Sequence, residues 1–403
     1  MLNLIDWNPK TILVNKWKVE YLTFEKPQSK GRTPIVILGG AFQKFESFRR
    51  DIEILQSSFP VYLVDLPGQG GNSQLAPNLS FEDYADILKG FIDRLGLEKI
   101  TPVSLSFGSA IGFHFALQYP YNTDRLIMAG TSPKLRESAR CLLEESLVLL
   151  DQNRIEEFAQ AVVLNLMNYP KRKEMRGSEI LARGLYRNMK NLTELDREKY
   201  RHNTRRLLDS KGMEMNGPEV ETLVIAGEWD HFTTPYECFQ VAKSAPRSVL
   251  AIVAGADHLA PYLKKDLVNQ TYLKFLMGER LVSREGMIIY RQKIYPDALK
   301  QMEPRLHYRE NAYLETSNGH NATVEIEDLN LFGVRLRLSL NARTMLKDHG
   351  LKLCLPGAKL SLGLMPFRED VLGVSALFKR TQFKQMQDME CHLKDLFPTS
   401  FAA

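Results

Sequence analysis

The sequence contains very little cysteine. Only four cysteines occur in 403 residues, with no CxxC pair and no cluster of histidines beside them. Structural zinc sites and disulfide scaffolds depend on such spacings, so neither organises this fold, and we expect no metal site. We expect the four thiols to be reduced and mostly buried; they are Cys141, Cys238, Cys354 and Cys391.

The sequence also has no long apolar run and no large excess of charge of one sign. Residues 1–18 alternate apolar and polar side chains without the apolar core of a signal peptide, and no later run is long enough to span a bilayer. The net charge is only +5, and acidic and basic residues are interspersed, so we expect no polynucleotide partner. These absences favour a cytoplasmic protein.

The first 280 residues alternate short apolar segments with amphipathic helical segments. We predict strands at 17–25, 34–40, 59–70, 100–108, 124–132, 220–230 and 248–258. This alternation is typical of βαβ units and of a mostly parallel sheet that is covered by helices on both faces. From about 133 to 215 the pattern is helical throughout, which predicts a helical cap over an active site.

The pattern changes again near residue 280. Residues 281–302 are charged and irregular, which favours a linker. Residues 303–403 contain short strands separated by turn residues, which predicts a small antiparallel β domain. That domain ends in a predicted helix whose apolar face is formed by Phe383, Met386, Met389 and Leu393. The fold class is therefore α/β over 1–280, followed by a second β domain.

The segment PVSLSFGSAIG, residues 102–112, joins an apolar strand pattern to an apolar helix pattern. A catalytic serine on a doubly wound sheet needs a sharp strand-to-helix turn that lifts its Oγ above the sheet edge. The residues two positions before and after it must be small, because larger side chains would collide. Ser104 and Gly108 meet this requirement around Ser106, so we predict that Ser106 is a nucleophile.

Two backbone N–H groups are candidates for an oxyanion hole. The N–H of Phe107 lies at the start of the predicted helix, where the helix dipole favours negative charge. The loop LGGAFQKFESF, residues 38–48, follows the first central strand and begins with small residues, so we predict the N–H of Ala41 as the second donor. Preorganised donors of this kind contribute about 3–4 kcal/mol each to acyl transfer.

A nucleophilic serine needs a base, and the base needs an orienting carboxylate. On this kind of sheet the chain order is serine, acid, histidine. Asp230 and His258 follow two successive predicted strands, so both lie at the carboxyl edge of the sheet, as Ser106 does. Glu228 and Asp257 are rival acids, although Asp257 would have to reach back to the ring of its own neighbour.

The motifs of the first domain resemble those of the α/β-hydrolase superfamily. The resemblance covers roughly residues 10–280 and is carried by LGGAF, VDLPGQGGNS, VSLSFGSA, AGEWDHFTTP and GADHLAP. The Ser-x-Ser-aromatic-Gly turn, DLPGQG, and Trp-Asp followed by an aromatic residue and Thr-Thr are similar to one branch. That branch is the rhamnolipid-precursor synthases, which join two hydroxyacyl chains into a hydroxyalkanoyloxy-alkanoate. The resemblance implies an α/β-hydrolase fold with a helical cap, and catalysis that needs no cofactor.

The implied substrate is an acyl ester or thioester, with coenzyme A or acyl carrier protein as possible carriers. Ser106 would attack the carbonyl, His258 would accept its proton, and Asp230 would stabilise the imidazolium. Transfer of the acyl group to water gives hydrolysis, and transfer to the hydroxyl of a second acyl chain gives a dimeric ester. A dry, apolar cap favours the second outcome. A plain carboxylesterase or thioesterase stays open as an alternative.

The C-terminal domain resembles a different family. Arg305 and Arg309 form an RxxxR pair. A DxNxxG turn follows, formed by Asp328, Asn330 and Gly333. Together they resemble the PilZ domain over roughly residues 303–398, a small β-barrel that binds cyclic di-GMP and usually has serine at the position of Asn330.

This second resemblance implies a nucleotide site. Two guanidinium groups would bridge phosphates and contact guanine, while Asp328 would accept from a guanine edge and Gly333 would permit the tight turn. We therefore expect cyclic di-GMP to regulate the acyl chemistry. A catalytically silent interaction protein that responds to cyclic di-GMP is the alternative outside the enzymes.

Overall fold

The computed structural model describes residues 7–213, 216–291 and 305–397. In their described parts, these residues form two compact units. The sheet unit comprises Met1–Leu135, Leu166–Ser178 and Leu192–Lys300. The barrel unit comprises Arg136–Asn165, Glu179–Asn191 and Gln301–Ala403.

The sheet unit contains a nine-stranded sheet in the order β1-β2-β4-β3-β5-β6-β7-β8-β9. The strands are β1 (Lys10–Val14), β2 (Trp17–Phe24), β3 (Ile35–Leu38), β4 (Val61–Asp65), β5 (Thr101–Leu105), β6 (Arg125–Ala129), β7 (Glu221–Gly227), β8 (Ser248–Val253) and β9 (Met287–Tyr290). Strands β3 to β8 run parallel, whereas β1, β2 and β9 join antiparallel at the two ends. The helices of this unit are α1 (Arg49–Leu55), α2 (Phe81–Arg94), α3 (Phe107–Gln118), α7 (Glu194–Asp209), α8 (Pro235–Ser244), α9 (Ala260–Leu263) and α10 (Lys265–Leu276).

The central strands are buried on both faces. In β3, Ile35 and Ile37 pack into one hydrophobic cluster, and Val36 and Leu38 pack into another on the opposite face. This two-residue alternation between two cores explains why the central strands read as continuous apolar runs in the sequence. The α/β-hydrolase fold predicted for the first domain is confirmed.

Two strands of this sheet were not predicted. β1 pairs with β2 at one edge, and β9 pairs with β8 at the other. β9 lies inside the predicted linker 281–302, so that expectation is wrong for Met287–Tyr290, because an edge strand with one buried residue has too weak an apolar pattern to be recognised. The remainder of that linker, 292–302, lies outside the described residues.

The barrel unit contains six antiparallel strands that close in the order β10-β11-β12-β15-β14-β13. The strands are β10 (Leu306–Glu315), β11 (Asn321–Leu329), β12 (Gly333–Arg337), β13 (Lys352–Leu355), β14 (Leu360–Glu369) and β15 (Gly373–Phe378). The short helix α11 (Leu340–Thr344) and the terminal helix α12 (Phe383–Leu396) complete this part. Helix α12 buries Met386, Met389 and Leu393 on one face, as its spacing predicts.

Three helices of the predicted cap belong to the barrel unit: α4 (Glu137–Asp151), α5 (Ile155–Leu166) and α6 (Ser178–Lys190), in their parts within that unit. The segment after β15 forms hydrogen bonds and an ion pair with α4 and α5. Lys379 Nζ forms an ion pair with Glu145 at 2.8 Å, and the buried guanidinium of Arg380 donates to the carbonyl of Leu164. The N–H of Phe383 donates to the side chain of Gln160. The grouping of contacts thus differs from the predicted division into 1–280 and 303–403, and of the four helices only α7 lies in the sheet unit.

All four cysteines are free, but only Cys238 is buried. Cys141 and Cys354 are half-buried and Cys391 is exposed on α12, so the expectation of mostly buried thiols is wrong. Within residues 7–213, 216–291 and 305–397, no helix has both the length and the apolar character needed to cross a bilayer.

Candidate active site

Ser106 occupies a sharp turn between β5 and α3. Its backbone has φ 49° and ψ −114°, a conformation that residues other than glycine rarely adopt. A Cβ at Gly108 would lie 2.5 Å from the carbonyl oxygen of Leu38, so only glycine lets α3 start this close to the end of β3. Ser104 is fully buried on the other side of the turn. The local geometry is that of a serine presented at a strand-to-helix elbow.

The structure brings together three residues that lie far apart in the sequence. Nε2 of His258 lies 3.0 Å from Oγ of Ser106, and Nδ1 of His258 lies 2.8 Å from Oδ2 of Asp230. Ser106, Asp230 and His258 follow β5, β7 and β8. These strands run parallel in the sheet, so their carboxyl ends lie at the same edge. This is the arrangement of nucleophile, base and orienting carboxylate.

Asp230 is almost completely buried and is held by its own loop. Its Oδ1 accepts hydrogen bonds from the backbone N–H groups of Phe232 and Thr233, each at 2.8 Å. Thr233 Oγ1 donates to Oδ2 at 2.8 Å and lies 3.0 Å from Nδ1 of His258. Sequence reasoning assigned no role to Thr233. The available signal was its position three residues after an aspartate at a strand end, where such turns form.

The surroundings of His258 favour its protonated form. Burial lowers the pKa of His258, but the negative charge of Asp230, the hydrogen bond to it and the nearby charge of Asp257 together outweigh burial and raise that pKa above the usual histidine value. Gly130, which has φ 63°, lies beside the ring, and a Cβ there would come within 2.9 Å of Cε1. The imidazole is therefore confined to one position, with its Nε2 facing the serine.

The two rival carboxylates have other partners. Glu228 accepts a hydrogen bond from the N–H of Gly255 at 2.8 Å. Asp257 accepts from the N–H groups of Leu259 and Asn168, each at 3.0 Å, and burial raises the pKa of Asp257 to about 6 despite these bonds. Among the three predicted acids, Asp230 alone is hydrogen-bonded to the ring of His258 in the part of the chain described here.

The two predicted oxyanion donors flank Ser106. Phe107 begins α3, and Ala41 lies in the loop after β3. A Cβ placed on Gly40 would lie 3.3 Å from Cβ of Ser106, which shows how closely this loop approaches the elbow. In the described chain, the N–H of Ala41 makes no backbone hydrogen bond outside the helices and strands, and Phe107 is the first residue of α3, where the N–H has no acceptor within the helix.

The predicted nucleotide residues lie together at one end of the β10–β11–β12 part of the barrel. Arg305 forms a close ion pair with Asp328 across the two strands. The side chain of Asn330 accepts from the N–H groups of Phe332 and Gly333 and so builds the turn before β12. The reason for glycine differs from the expected one, because Gly333 has no positive φ but a Cβ there would lie 2.3 Å from the carbonyl oxygen of Ala376 in β15.

Arg309 lies in a β-bulge. The register of β10 against β11 shifts between His307 and Glu310, which leaves the intervening residues outside the regular ladder. The Arg309 side chain is exposed, and no residue in the described ranges forms an ion pair with it. Arg305 and Arg309 are thus both exposed at the surface of the barrel, and Arg305 is paired with Asp328.

No group of three or more histidine, cysteine, aspartate or glutamate side chains is arranged to hold a metal ion, so far as residues 7–213, 216–291 and 305–397 are concerned. The polar side-chain atom within hydrogen-bond distance of Ser106 Oγ is Nε2 of His258.

Comparison with known proteins supports the fold described above. A family model for the alpha/beta hydrolase fold matches residues 33–167. The chain is 25% identical over 259 residues to the (R)-3-hydroxydecanoyl-ACP:CoA transacylase of Pseudomonas aeruginosa, which covers 61% of this chain and 82% of that protein. It is 22% identical over 263 residues to the uncharacterized hydrolase YugF of Bacillus subtilis, which covers 63% of this chain and 93% of that protein.

A similar fold occurs among solved structures. The alpha/beta hydrolase enzyme MGS-M2 from a Medee basin deep-sea metagenome library matches with a TM-score of 0.59 and 16% sequence identity, covering 68% of this chain and 100% of that one. Taken with the strand order and the family match, these similarities show an α/β-hydrolase fold and support an enzyme, and the second unit of the chain contains a closed six-stranded β-barrel.

Proposed function

We propose that the protein is a serine-dependent acyl hydrolase or acyltransferase that acts on hydroxyacyl esters or thioesters. The observation that carries this proposal is the hydrogen-bonded series from Ser106 Oγ through the His258 imidazole to the Asp230 carboxylate. Each bond lies in the range that proton transfer requires. The serine is half-buried in a strained strand-to-helix turn, the backbone geometry that presents a nucleophile at this kind of sheet edge.

The reaction proceeds in two halves. Oγ of Ser106 attacks the acyl carbonyl while Nε2 of His258 takes the hydroxyl proton, and Asp230 stabilises the imidazolium. The N–H groups of Ala41 and Phe107 bind the oxyanion of the tetrahedral intermediate. His258 then gives its proton to the leaving thiolate or alkoxide, which leaves an acyl group on Ser106. In the second half, His258 deprotonates an incoming water or hydroxyl, whose oxygen attacks the acyl carbonyl, and the imidazolium then returns the proton to Oγ of Ser106 as the acyl–serine bond breaks.

The hydroxyacyl character of the substrate is supported by the similarity to a bacterial hydroxydecanoyl transacylase and by the motifs around Ser106 and Asp230. Coenzyme A or acyl carrier protein is the proposed carrier. A dimeric hydroxyacyl ester is the proposed product when a second hydroxyacyl chain accepts the acyl group, and a free acid is the product when water accepts it.

Product analysis with a 3-hydroxyacyl coenzyme A thioester tests this function. We expect the wild-type protein to release the thiol and the Ser106→Ala variant to release none, and mass spectrometry of the lipid product to detect the dimeric ester. A free acid alone would indicate a plain thioesterase or esterase. Failure of the wild type to turn over both the thioester and simple esters would contradict the proposal and favour a catalytically silent interaction protein.

We further propose that the barrel binds cyclic di-GMP and regulates the acyl chemistry. The proposed contacts are those of Arg305, Arg309, Asp328, Asn330 and Gly333. Their placement at neighbouring strand ends supports this site, since two surface guanidinium groups can bind phosphate in a bidentate manner. Ligand binding would have to compete with Asp328 for Arg305.

Titration calorimetry of the full chain with cyclic di-GMP tests the nucleotide site. The wild type should bind and Arg309→Ala should bind at least about tenfold more weakly, since it loses a charged hydrogen-bond donor. Arg368→Ala, which removes another exposed arginine of the barrel, is the matched control and should bind as the wild type does. Equal binding by Arg309→Ala and the wild type would place the site elsewhere.

A further inference from the structure

Gln43 uses its backbone and both atoms of its side-chain amide in contacts within the loop between β3 and α1, which passes beside the elbow. Its side-chain Oε1 accepts the N–H of Gly40 at 2.5 Å, and its backbone N–H donates to the carbonyl of Gly40 at 3.2 Å. Its Nε2 donates to the hydroxyl of Tyr262 at 2.6 Å. One residue therefore uses its main chain and both atoms of its amide to hold a two-glycine loop.

These contacts fix the direction of the predicted oxyanion donor. The Gly40 carbonyl and the Ala41 N–H belong to one planar trans peptide unit, in which the two groups point in opposite directions. Holding that carbonyl with the N–H of Gln43 therefore directs the Ala41 N–H away from Gln43. In the same way, the Oε1 atom of Gln43 holds the preceding peptide unit, between Gly39 and Gly40, by accepting the Gly40 N–H. Without these two bonds, Gly39 and Gly40 would leave the loop free to turn, because glycine has access to more backbone conformations than other residues.

Tyr262 anchors Gln43 to the segment that carries the base. It lies in α9, which begins two residues after His258, and its backbone N–H donates to the carbonyl of Leu259. Burial raises the pKa of Tyr262 to about 12 although Gln43 and Ser47 hydrogen-bond to it, so the phenol remains neutral. A neutral acceptor at a fixed place holds the amide of Gln43 in one orientation.

We infer that Gln43, held by Tyr262, is a positioning residue that aims the N–H of Ala41 at the oxyanion formed on Ser106. The inference rests on the proposed acyl-transfer function. The same hydrogen-bonded path links the oxyanion loop to the His258 segment, so the two halves of the site keep their relative geometry through the reaction. Gln43 itself does not touch the reacting atoms in this arrangement.

Steady-state kinetics with a p-nitrophenyl acyl ester tests the inference. Gln43→Met keeps the length of the side chain but removes both amide contacts. We expect its kcat to fall about tenfold to a hundredfold with KM changed by less than about twofold. The reason is that the hydrogen bond from the Ala41 N–H to the oxyanion forms in the transition state and is not needed to bind the ester. The affinity of a phenylboronic acid, whose serine adduct places an oxygen in the oxyanion hole, should fall by a similar factor.

Tyr262→Phe tests the anchor without altering Gln43. Its kcat should fall by a smaller factor, and the double variant should be no slower than Gln43→Met, because both residues act through the same amide. Additive losses would show that the two residues act independently and would contradict the proposed path.

Two matched controls exist in the sheet unit. The side-chain amide of Gln74 also forms two hydrogen bonds: it accepts from the N–H of Lys18 and donates to the carbonyl of Lys16. The hydroxyl of Tyr119 also hydrogen-bonds to a side chain, the carboxylate of Asp86. Gln74→Met and Tyr119→Phe should keep kcat within about twofold of the wild type. Circular dichroism and thermal unfolding establish that each variant is folded.

The failure of this inference is distinguishable from failure of the proposed function. A wild type that turns over the ester, a Ser106→Ala variant that does not, and a folded Gln43→Met variant with unchanged kcat and boronic acid affinity would overturn the role of Gln43 alone. An equal fall in Gln43→Met and Gln74→Met would also overturn it, since the effect would then be one of general loop stability. A wild type without activity would remove the proposed function itself.

Discussion

The pKa of His258 is determined by two opposing effects. Burial lowers this pKa, whereas the charge of Asp230, its hydrogen bond and the smaller effect of the Asp257 charge raise it, with a net increase. The general base must be neutral to accept a proton, so activity is lost as the pH falls through this raised pKa and is gained as the pH rises through it. The pH profile of the enzyme therefore reports directly on the contact between His258 and Asp230.

Replacement of Asp230 by asparagine should shift that profile. The variant removes the charge that raises the pKa of His258 and leaves the effect of burial, so the acidic limb of kcat/KM should move to lower pH. The rate at the optimum should fall by up to about 10⁴-fold, because the orientation of the imidazole and the stabilisation of its charged form are lost. Measuring kcat/KM from acidic to neutral pH checks this, and an acidic limb that stays in place or moves to higher pH would contradict it.

Thr233 should contribute through its hydroxyl alone. Thr233→Val keeps the shape of the side chain but removes the hydrogen bond to Asp230, a buried bond to a charged group, so kcat/KM should fall about tenfold or more. Thr233→Ser keeps the hydroxyl and serves as the matched control. If the valine and serine variants have the same kcat/KM, the hydroxyl has no part in holding the pair of Asp230 and His258.

At the scale of the elements, the start of α3 depends on a close approach between backbones. A Cβ at Gly108 would meet the carbonyl oxygens of Leu38 and Gly39 at 2.5 and 2.8 Å, so α3 or β3 would have to move to accept it. Gly184 in α6 is the opposite case, since nothing lies within 4 Å of a Cβ placed there. The two glycines form a matched pair for substitution by alanine.

Denaturant unfolding of these two variants tests the packing of the elbow. Gly108→Ala should lower the free energy of unfolding by about 1–3 kcal/mol, as overpacking does. Gly184→Ala should raise it by up to about 1 kcal/mol, because alanine is the better helix former in an open position. Equal midpoints for Gly108→Ala and the wild type would mean that the elbow does not need glycine at this position.

Elements with a regular spacing of apolar residues were predictable from the sequence, whereas an element that depends mainly on pairing with a neighbouring strand was missed. The central strands and the α12 face follow from apolar spacing alone, and the serine, the histidine and its acid follow from strand ends and chain order. β9 has only one buried residue, so its pairing with β8 leaves almost no mark on the sequence.

The contacts of individual side chains were also beyond the sequence. Gln43 acts through a hydrogen bond to Tyr262, which lies 219 positions away in the chain, and Thr233 also lies beside the ring of His258, 25 positions away. The pattern of α4 to α6 indicated amphipathic helices, but periodicity identifies an apolar face without identifying what covers it. The contacts of Lys379 and Arg380 with Glu145 and Leu164 supply that information.

At the scale of the whole molecule, α4, α5 and α6 share one compact unit with the barrel although the sheet unit precedes and follows them in the chain. The helices and the barrel should therefore unfold together. Removing the barrel would leave the carboxylate of Glu145, the carbonyl of Leu164 and the amide of Gln160 without the partners supplied by 379–383. It would also expose the apolar surface that these helices bury against the barrel.

A chain shortened to end at Arg291 tests this dependence. It should unfold at a temperature at least about 4 °C below that of the full chain and should bind more of a hydrophobic dye, since it loses several buried contacts. A chain that ends at Phe397 retains the described barrel and α12 and is the control. A shortened chain with the unfolding temperature and dye binding of the control would show that the helices do not need the barrel.

The measurement that tests the account most directly is the location of the covalent adduct formed with a fluorophosphonate. The activated hydroxyl of Ser106 should displace fluoride, and peptide mapping by mass spectrometry should find the phosphonyl group on the peptide that contains residues 102–112, with no adduct on the Ser106→Ala protein. Stoichiometric labelling of a different residue in the wild type, or labelling that persists in Ser106→Ala, would contradict the assignment of Ser106 as the nucleophile.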